Sequence, residues 1–254
     1  MILKIFIFLF GTAVGSFLNV CIYRLPRSLS LIHPRSACPN CGHKIAFYDN
    51  IPIASHLWLR GRCRHCRAAI SLRYPVVELA AGLFAVGVFS RFSLAWEGLF
   101  LYALVAALLV VTFIDIDHQI IPDVITYPGI VIGLLCSFLP GHITYKESLM
   151  GIAFGGGILL LVAWGYYLLT KKEGMGGGDV KLLAMIGAFL GWQAVIFTIF
   201  VGSAIGTVIG VAVALRTHGG RTMAVPFGPF LSLGALVFLF QGREIMGWYL
   251  QILR

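Results

Sequence analysis

Residues 95–123 read AWEGLFLYALVAALLVVTFIDIDHQIIPD. From Gly98 to Ile114 no residue carries a charge, and three aspartates, Asp115, Asp117 and Asp123, then arrive together. A helix needs about 17–25 mostly apolar residues to cross the hydrocarbon of a bilayer. The stretch therefore predicts a helix that spans the membrane and delivers acids to its edge. An acid kept so close to lipid is costly and marks function by default.

The rest of the chain repeats the apolar pattern. Of 254 residues, 59% are hydrophobic and 11% charged, against about 45–50% and about 25% in soluble domains. Apolar runs fall at 1–23, 75–92, 95–114, 124–139, 148–170, 180–192, 193–215 and 227–240. The fold class expected is an all-α polytopic membrane protein of about eight transmembrane helices. The 180–192 run is short, which predicts a tilted, kinked or partly re-entrant helix. Met1 to Tyr23 is apolar apart from Lys4 and is read as a retained first helix rather than a cleaved signal. Glycines within the spans, such as Gly151, Gly155, Gly156 and Gly157, predict close helix contact.

Between Arg24 and Tyr74 the composition changes: nine Lys/Arg face one acid, Asp49. Flanked by spans, this segment reads as a positive-inside loop beside anionic lipid, and no nucleic-acid recognition fold fits within it. With that loop in the cytoplasm, the loops at 115–123, 171–181 and 216–221 face the same side. That side then holds fourteen of the nineteen Lys/Arg, leaving Lys4, Arg91, Lys146, Arg243 and Arg254 opposite. The layout expected is a first helix (1–23), a cytoplasmic basic module (24–74) and a seven-helix membrane domain (75–254).

The basic module carries two matched pairs, Cys38-Pro-Asn-Cys41 and Cys63-Arg-His-Cys66, with 21 residues between them. Two such knuckles at this spacing predict a closed four-thiolate, zinc-ribbon-like site, structural rather than catalytic because no position is left for water. A redox dithiol is disfavoured by the second pair. His43 and His65 are spare candidate ligands, against the plainer reading of surface residues. Cys21 and Cys136, in apolar runs, read as small buried side chains.

A second acid motif, Gly174-Met-Gly176-Gly177-Gly178-Asp179-Val-Lys181, opens the 180–192 run at the same membrane face as Asp115. Two carboxylates that approach closely cannot both ionise easily, so one keeps a proton while the other activates water. Gly176 and Gly178 remove side chains that would keep a substrate backbone away. Spacing alone leaves each aspartate open to the reading of a solvated cap or loop charge. Helix ends bias Asp179 towards the base and Asp115 towards the acid, by only about 0.3–1 kcal/mol. Asp123, after Pro122, reads as a cap for the following helix. Asp117 reads as a loop charge or a supporting acid, His118 as an interfacial residue. Lys181 is either a partner of Asp179 or a positive-inside anchor.

The chain resembles the type IV prepilin leader peptidase and N-methyltransferase family along nearly its whole length. The resemblance rests on Gly15-Ser-Phe-Leu-Asn19 with Tyr23-Arg24-Leu-Pro26, both cysteine pairs, and Asp49-Asn-Ile-Pro52. It continues through Arg73-Tyr-Pro75-Val-Val-Glu78, Asp115-Ile-Asp117, Gly176-Gly-Gly-Asp179-Val-Lys181 and Pro226-Phe-Gly-Pro-Phe230. The resemblance implies an inner-membrane aspartic endopeptidase with Asp115 and Asp179 as its catalytic pair. It implies cleavage of a short basic leader after a glycine, on the cytoplasmic face, from pilin or pseudopilin precursors. It also implies methylation of the new amino terminus with S-adenosylmethionine; Asn19 and Glu78 are plausible contributors near the donor. A transporter would place its acids nearer the midplane and show inverted repeats, and a zinc-bearing scaffold would leave both aspartate motifs idle.

Overall fold

The computed structural model describes residues 1–140, 143–172, 176–216 and 225–252. Among them the chain is helical, with two isolated β-bridges in the cysteine module. It divides into two compact units, Met1–Val110 and Val111–Arg254.

The first unit contains α1 (Ile2–Arg24), the short α2 (Ala54–Trp58), α3 (Arg73–Phe92) and the start of α4 (Trp96–His118). The α1 and α3 backbones pack closely because glycines remove side chains at the crossing. A Cβ built on Gly15 would lie 2.6 Å from Glu78 Cα, and one on Gly11 would lie 2.7 Å from Ala85 Cβ. Tyr102 on α4 donates its hydroxyl to Gly11 O at 3.4 Å and Ala81 O at 3.2 Å, so its polar tip is satisfied inside an apolar core. Between α1 and α3 the cysteine module folds as two similar hairpins, bridged at Ala37–Lys44 and at Arg62–Ala69.

The second unit continues from α4 into α5 (Asp123–Cys136), α6 (Tyr145–Thr170), α7 (Gly177–Arg216) and α8 (Gly228–Ile252). The first half of α7 is its core: Leu182, Leu183, Ala184, Met185, Ile186, Ala188 and Phe189 are all buried. A helix buried on every side needs no polar face, which is why this stretch is apolar all round. α5, α6 and α8 each pack on α7. Gly151 of α6 meets Gly187 of α7 backbone to backbone, and Gly133 of α5 accommodates Ala188 and Phe189. A capping box starts α6: Thr144 N donates to Glu147 Oε2 at 2.8 Å and Glu147 N to Thr144 Oγ1 at 3.4 Å.

Two adjoining spans expected at 180–192 and 193–215 are one long element broken at Gly191, whose φ of 82° leaves the helical region. Only glycine adopts that conformation without strain. Among the described residues five helices are long and apolar enough to cross a membrane, and α5 and the apolar part of α8 are shorter. With α7 counted as two halves, the apolar segments number eight among the described residues, as the sequence predicted. Exposed Leu160, Leu161, Val162 and Trp164 on α6 are what a lipid-facing surface requires. The protein is a multi-pass membrane protein. Positions 217–221 of the expected fourth loop, Gly174 and Arg254 lie outside the described residues.

Candidate active site and metal module

α4 ends one turn beyond Asp115, and α8 begins at Gly228. Asp115 is 5% exposed, and the backbone N–H of Gly228 donates to its Oδ2 at 2.9 Å. The contact depends on glycine, since a Cβ on Gly228 would lie 2.7 Å from that oxygen. Asp179 occupies the first turn of α7, half-buried, with its own N–H donated to Gly176 O at 3.2 Å. It lies within electrostatic range of the Asp115 carboxylate. Ile121 is a common neighbour: a Cβ on Gly178 would meet Ile121 Cβ at 2.9 Å, and one on Gly228 would meet Ile121 Cδ1 at 3.3 Å. One apolar side chain thus packs against the starts of both α7 and α8. A Cβ on Gly176 would come 3.8 Å from Asp179 Oδ2, so the glycine leaves that oxygen uncovered.

The remaining candidates separate from this pair. Asp117 and His118 are exposed at the end of α4, and two residues along a helix turns Asp117 away from the Asp115 face. Lys181 Nζ lies 2.7 Å from Asp123 Oδ1 and 5.1 Å from the Tyr127 ring centroid, so its partner is Asp123. Asp123 does not cap α5. Pro122 holds the cap position and Asp123 is already inside the helix, one residue too late to receive the cap hydrogen bond. Nothing in the sequence singles out Ile121, and Gly228 figures there only within Pro226-Phe-Gly-Pro-Phe230. The signal available was a glycine between Phe227 and Pro229 at a span boundary, where no turn composition alone demanded it.

In the first unit, the sulfurs of Cys38, Cys41, Cys63 and Cys66 all lie within 4.8 Å of one another, a group able to hold a metal ion. Cys38 Sγ and Cys66 Sγ are 3.8 Å apart, the edge of a tetrahedron with metal–sulfur bonds of about 2.3 Å. The donor set therefore fits a thiolate-bound metal. Each knuckle closes in the same way: Cys38 N donates to His43 O at 2.9 Å, and Cys63 N to Ala68 O at 2.8 Å. Backbone N–H groups of Cys41 and Asn40 hold the Cys38 thiol down to about 6. His43 and His65 lie against each other, with ring centroids 3.4 Å apart and planes tilted by 34°, and do not join the sulfur group. Arg64, inside the second knuckle, grips Asp49 by donating from Nε and Nη2, at 2.8 and 2.6 Å. The Arg64 guanidinium holds the Asp49 carboxyl below the usual carboxylate range. Cys21 and Cys136 are buried free thiols.

An all-helical membrane protein with a buried aspartate, a second within electrostatic range and a four-thiolate module has the parts of a membrane aspartic peptidase. Two family models match: the bacterial peptidase A24 N-terminal domain over residues 9–92 and the type IV leader peptidase family over residues 102–211. The chain is 40% identical over 268 residues to a prepilin leader peptidase/N-methyltransferase of Aeromonas hydrophila, covering 96% of this chain and 92% of that one. It is 38% identical over 266 residues to the protein of the same name from Pseudomonas aeruginosa, with the same coverage. It belongs to the type IV leader peptidase family. No solved structure is a significant match.

Proposed function

We propose that this chain is an inner-membrane aspartic endopeptidase that removes the basic leader from type IV prepilins or pseudopilins and then methylates the new amino terminus. The observation that carries the peptidase reading is Asp115, a buried carboxylate at the end of an apolar helix, held by the Gly228 N–H with Asp179 in electrostatic range. In this reading one carboxylate of the pair takes a proton from water as its oxygen attacks the scissile carbonyl. The protonated partner supplies a proton to the departing amine, so one water and one peptide bond give two new termini. The proton belongs to the pair and not to a fixed member. Gly176 and Gly178 let substrate backbone approach, while Asp117 and Lys181 lie at the margin of the site, Lys181 paired with Asp123.

The basic module, 24–74, lies in the cytoplasm beside the first helix, 1–23, and the membrane domain is 75–254. A positive leader stays on that side by the same charge bias that sets the topology. Its scissile bond then sits at the interface, level with the aspartates. Zinc is the metal that four thiolates at this spacing best suit, and it closes a segment with little core of its own. S-adenosylmethionine supplies an electrophilic methyl group to the exposed amine. The test is mass spectrometry of a prepilin-like peptide after incubation with purified protein in lipid, with and without S-adenosylmethionine. Leader loss with an added methyl supports both activities; an intact peptide across several prepilin sequences refutes the peptidase reading.

A further inference from the structure

Between the two cysteine hairpins lie a turn of 3-10 helix at Phe47–Asn50 and α2, which touch each other. Within residues 47–58 the large apolar and aromatic side chains Phe47, Tyr48, Ile51, Leu57 and Trp58 are all exposed, Phe47 by 87% and Trp58 by 86%. Apolar residues scattered singly over a surface need no explanation, but a cluster in one short stretch marks an interaction surface. None of these side chains serves the aspartate pair or the sulfur cluster.

Local contacts decide how this surface is presented. Ser55 N donates to Ile51 O and Leu57 N to Ile53 O, both at 3.1 Å, which closes the turns of α2. His56 points inward: its Nδ1 is buried, and its Nε2 would lie 3.1 Å from a Cβ on Gly61. Leu57 and Trp58, next along the turn, face outward. At the other end the Arg64 guanidinium lies 5.4 Å from the Tyr48 ring centroid and binds Asp49, which anchors the stretch to the second knuckle. Ile53 sets the depth, because its N–H donates to Glu78 Oε2 at 2.7 Å. α3 is long and apolar enough to span a membrane, and Glu78 lies about 7–8 Å beyond its start at about 1.5 Å per residue. Helix side chains lean towards the N-terminus, so the carboxylate reaches back towards that start. The stretch is therefore held level with the first turns of a span, at the headgroup boundary. Interfacial helices bury their apolar face about 5–10 Å into that boundary, and tryptophan is enriched there.

Charge selects the occupant. Asp49, the one acid between Arg24 and Tyr74, is taken by Arg64, while Arg60, Arg62 and Arg67 are exposed. Cationic side chains beside an apolar patch at headgroup depth match an anionic leaflet. A basic leader peptide does not complement such a surface. We infer that residues 47–58 form an interfacial wedge, seated through Phe47, Leu57 and Trp58 in anionic lipid of the leaflet that the module faces. The positive-inside bias sets only the side of the membrane on which the module lies. The wedge holds the module down on that surface at a fixed depth.

The test places the full, metal-loaded chain, grown with fluorotryptophan, in nanodiscs of mixed phosphatidylglycerol and phosphatidylcholine. The Trp58 fluorine resonance is the one that Trp58→Phe removes from the spectrum, with Trp58→Tyr giving the same assignment if phenylalanine disturbs the fold. A lipid spin-labelled near its headgroup should broaden that resonance beyond detection, and a water-soluble gadolinium chelate should leave it resolved. In discs of phosphatidylcholine alone, broadening by the lipid label should weaken and broadening by the chelate should grow. Broadening by the chelate and not by the lipid label, in the anionic discs, would overturn the inference and leave 47–58 a solvated face. Protection from both probes would overturn it in favour of a protein occupant, a second copy or the precursor. Equal broadening in both kinds of disc would overturn the choice of anionic lipid.

Discussion

The Gly228 N–H and the Asp115 carboxylate, 2.9 Å apart, tie the start of α8 to the end of α4. That bond fixes one oxygen of a buried acid, and no residue larger than glycine leaves room for it. Gly228→Ala should therefore lower the leader-cleavage kcat about 100-fold, since displacing a reacting group by about 1 Å costs that much. Binding of precursor peptide should change little. Peptidase kinetics comparable to wild type in the alanine variant would show that the carboxylate tolerates the shift.

Lys181 and Asp123 form a pair whose side chains are 30% and 56% exposed. Exposed pairs contribute about 0–1 kcal/mol. Lys181→Ala should shift Tm by a few degrees at most and leave kcat within about threefold. A loss of 100-fold would mean that Lys181 acts on the aspartates directly.

At Gly191 the φ of 82° breaks α7, while a Cβ there would meet Glu147 Cβ only at an ordinary 3.7 Å. The cost of Gly191→Ala is thus conformational and not steric, about 1–3 kcal/mol for a positive φ combined with a ψ of 174°. Thermal or denaturant unfolding in detergent should show a loss of that size. A neutral result would mean that α7 can straighten at this point.

Asp49 is held below its ordinary 3.8 by Arg64. A group whose folded pKa is depressed contributes stability above its unfolded pKa, lost as the pH falls through the folded one. Between about pH 5 and 8, well above the carboxylate range, the Tm difference between wild type and Asp49→Asn should be constant. A difference that changes across that window would contradict the ion pair as its source. Chelation should separately remove one metal per chain, read by elemental analysis, and Cys38→Ser should prevent its uptake.

Much of this was legible because the signals are local. Uncharged runs of span length announced the helices, and two matched cysteine pairs announced the sulfur cluster that the hairpins build. The break at Gly191 was less visible, since a glycine among apolar residues reads equally as close packing. The partner of Lys181 could not be read, because 58 residues separate it from Asp123. Nor could Gly228, whose contact with Asp115 spans 113 residues. The proline before Asp123 moved the α5 cap by one position, a shift that composition does not record. The depth of 47–58 rests on the bond from Ile53 to Glu78, 25 residues apart, and no single stretch of sequence encodes it.

The most direct test of the central claim replaces each aspartate alone. Wild type, Asp115→Asn and Asp179→Asn, each shown folded by thermal melt, would be incubated with one prepilin peptide and read by mass spectrometry. The account predicts leader removal by wild type and none detectable by either variant. Cleavage surviving in either one would contradict the pair and return the search to Asp117 and Asp123.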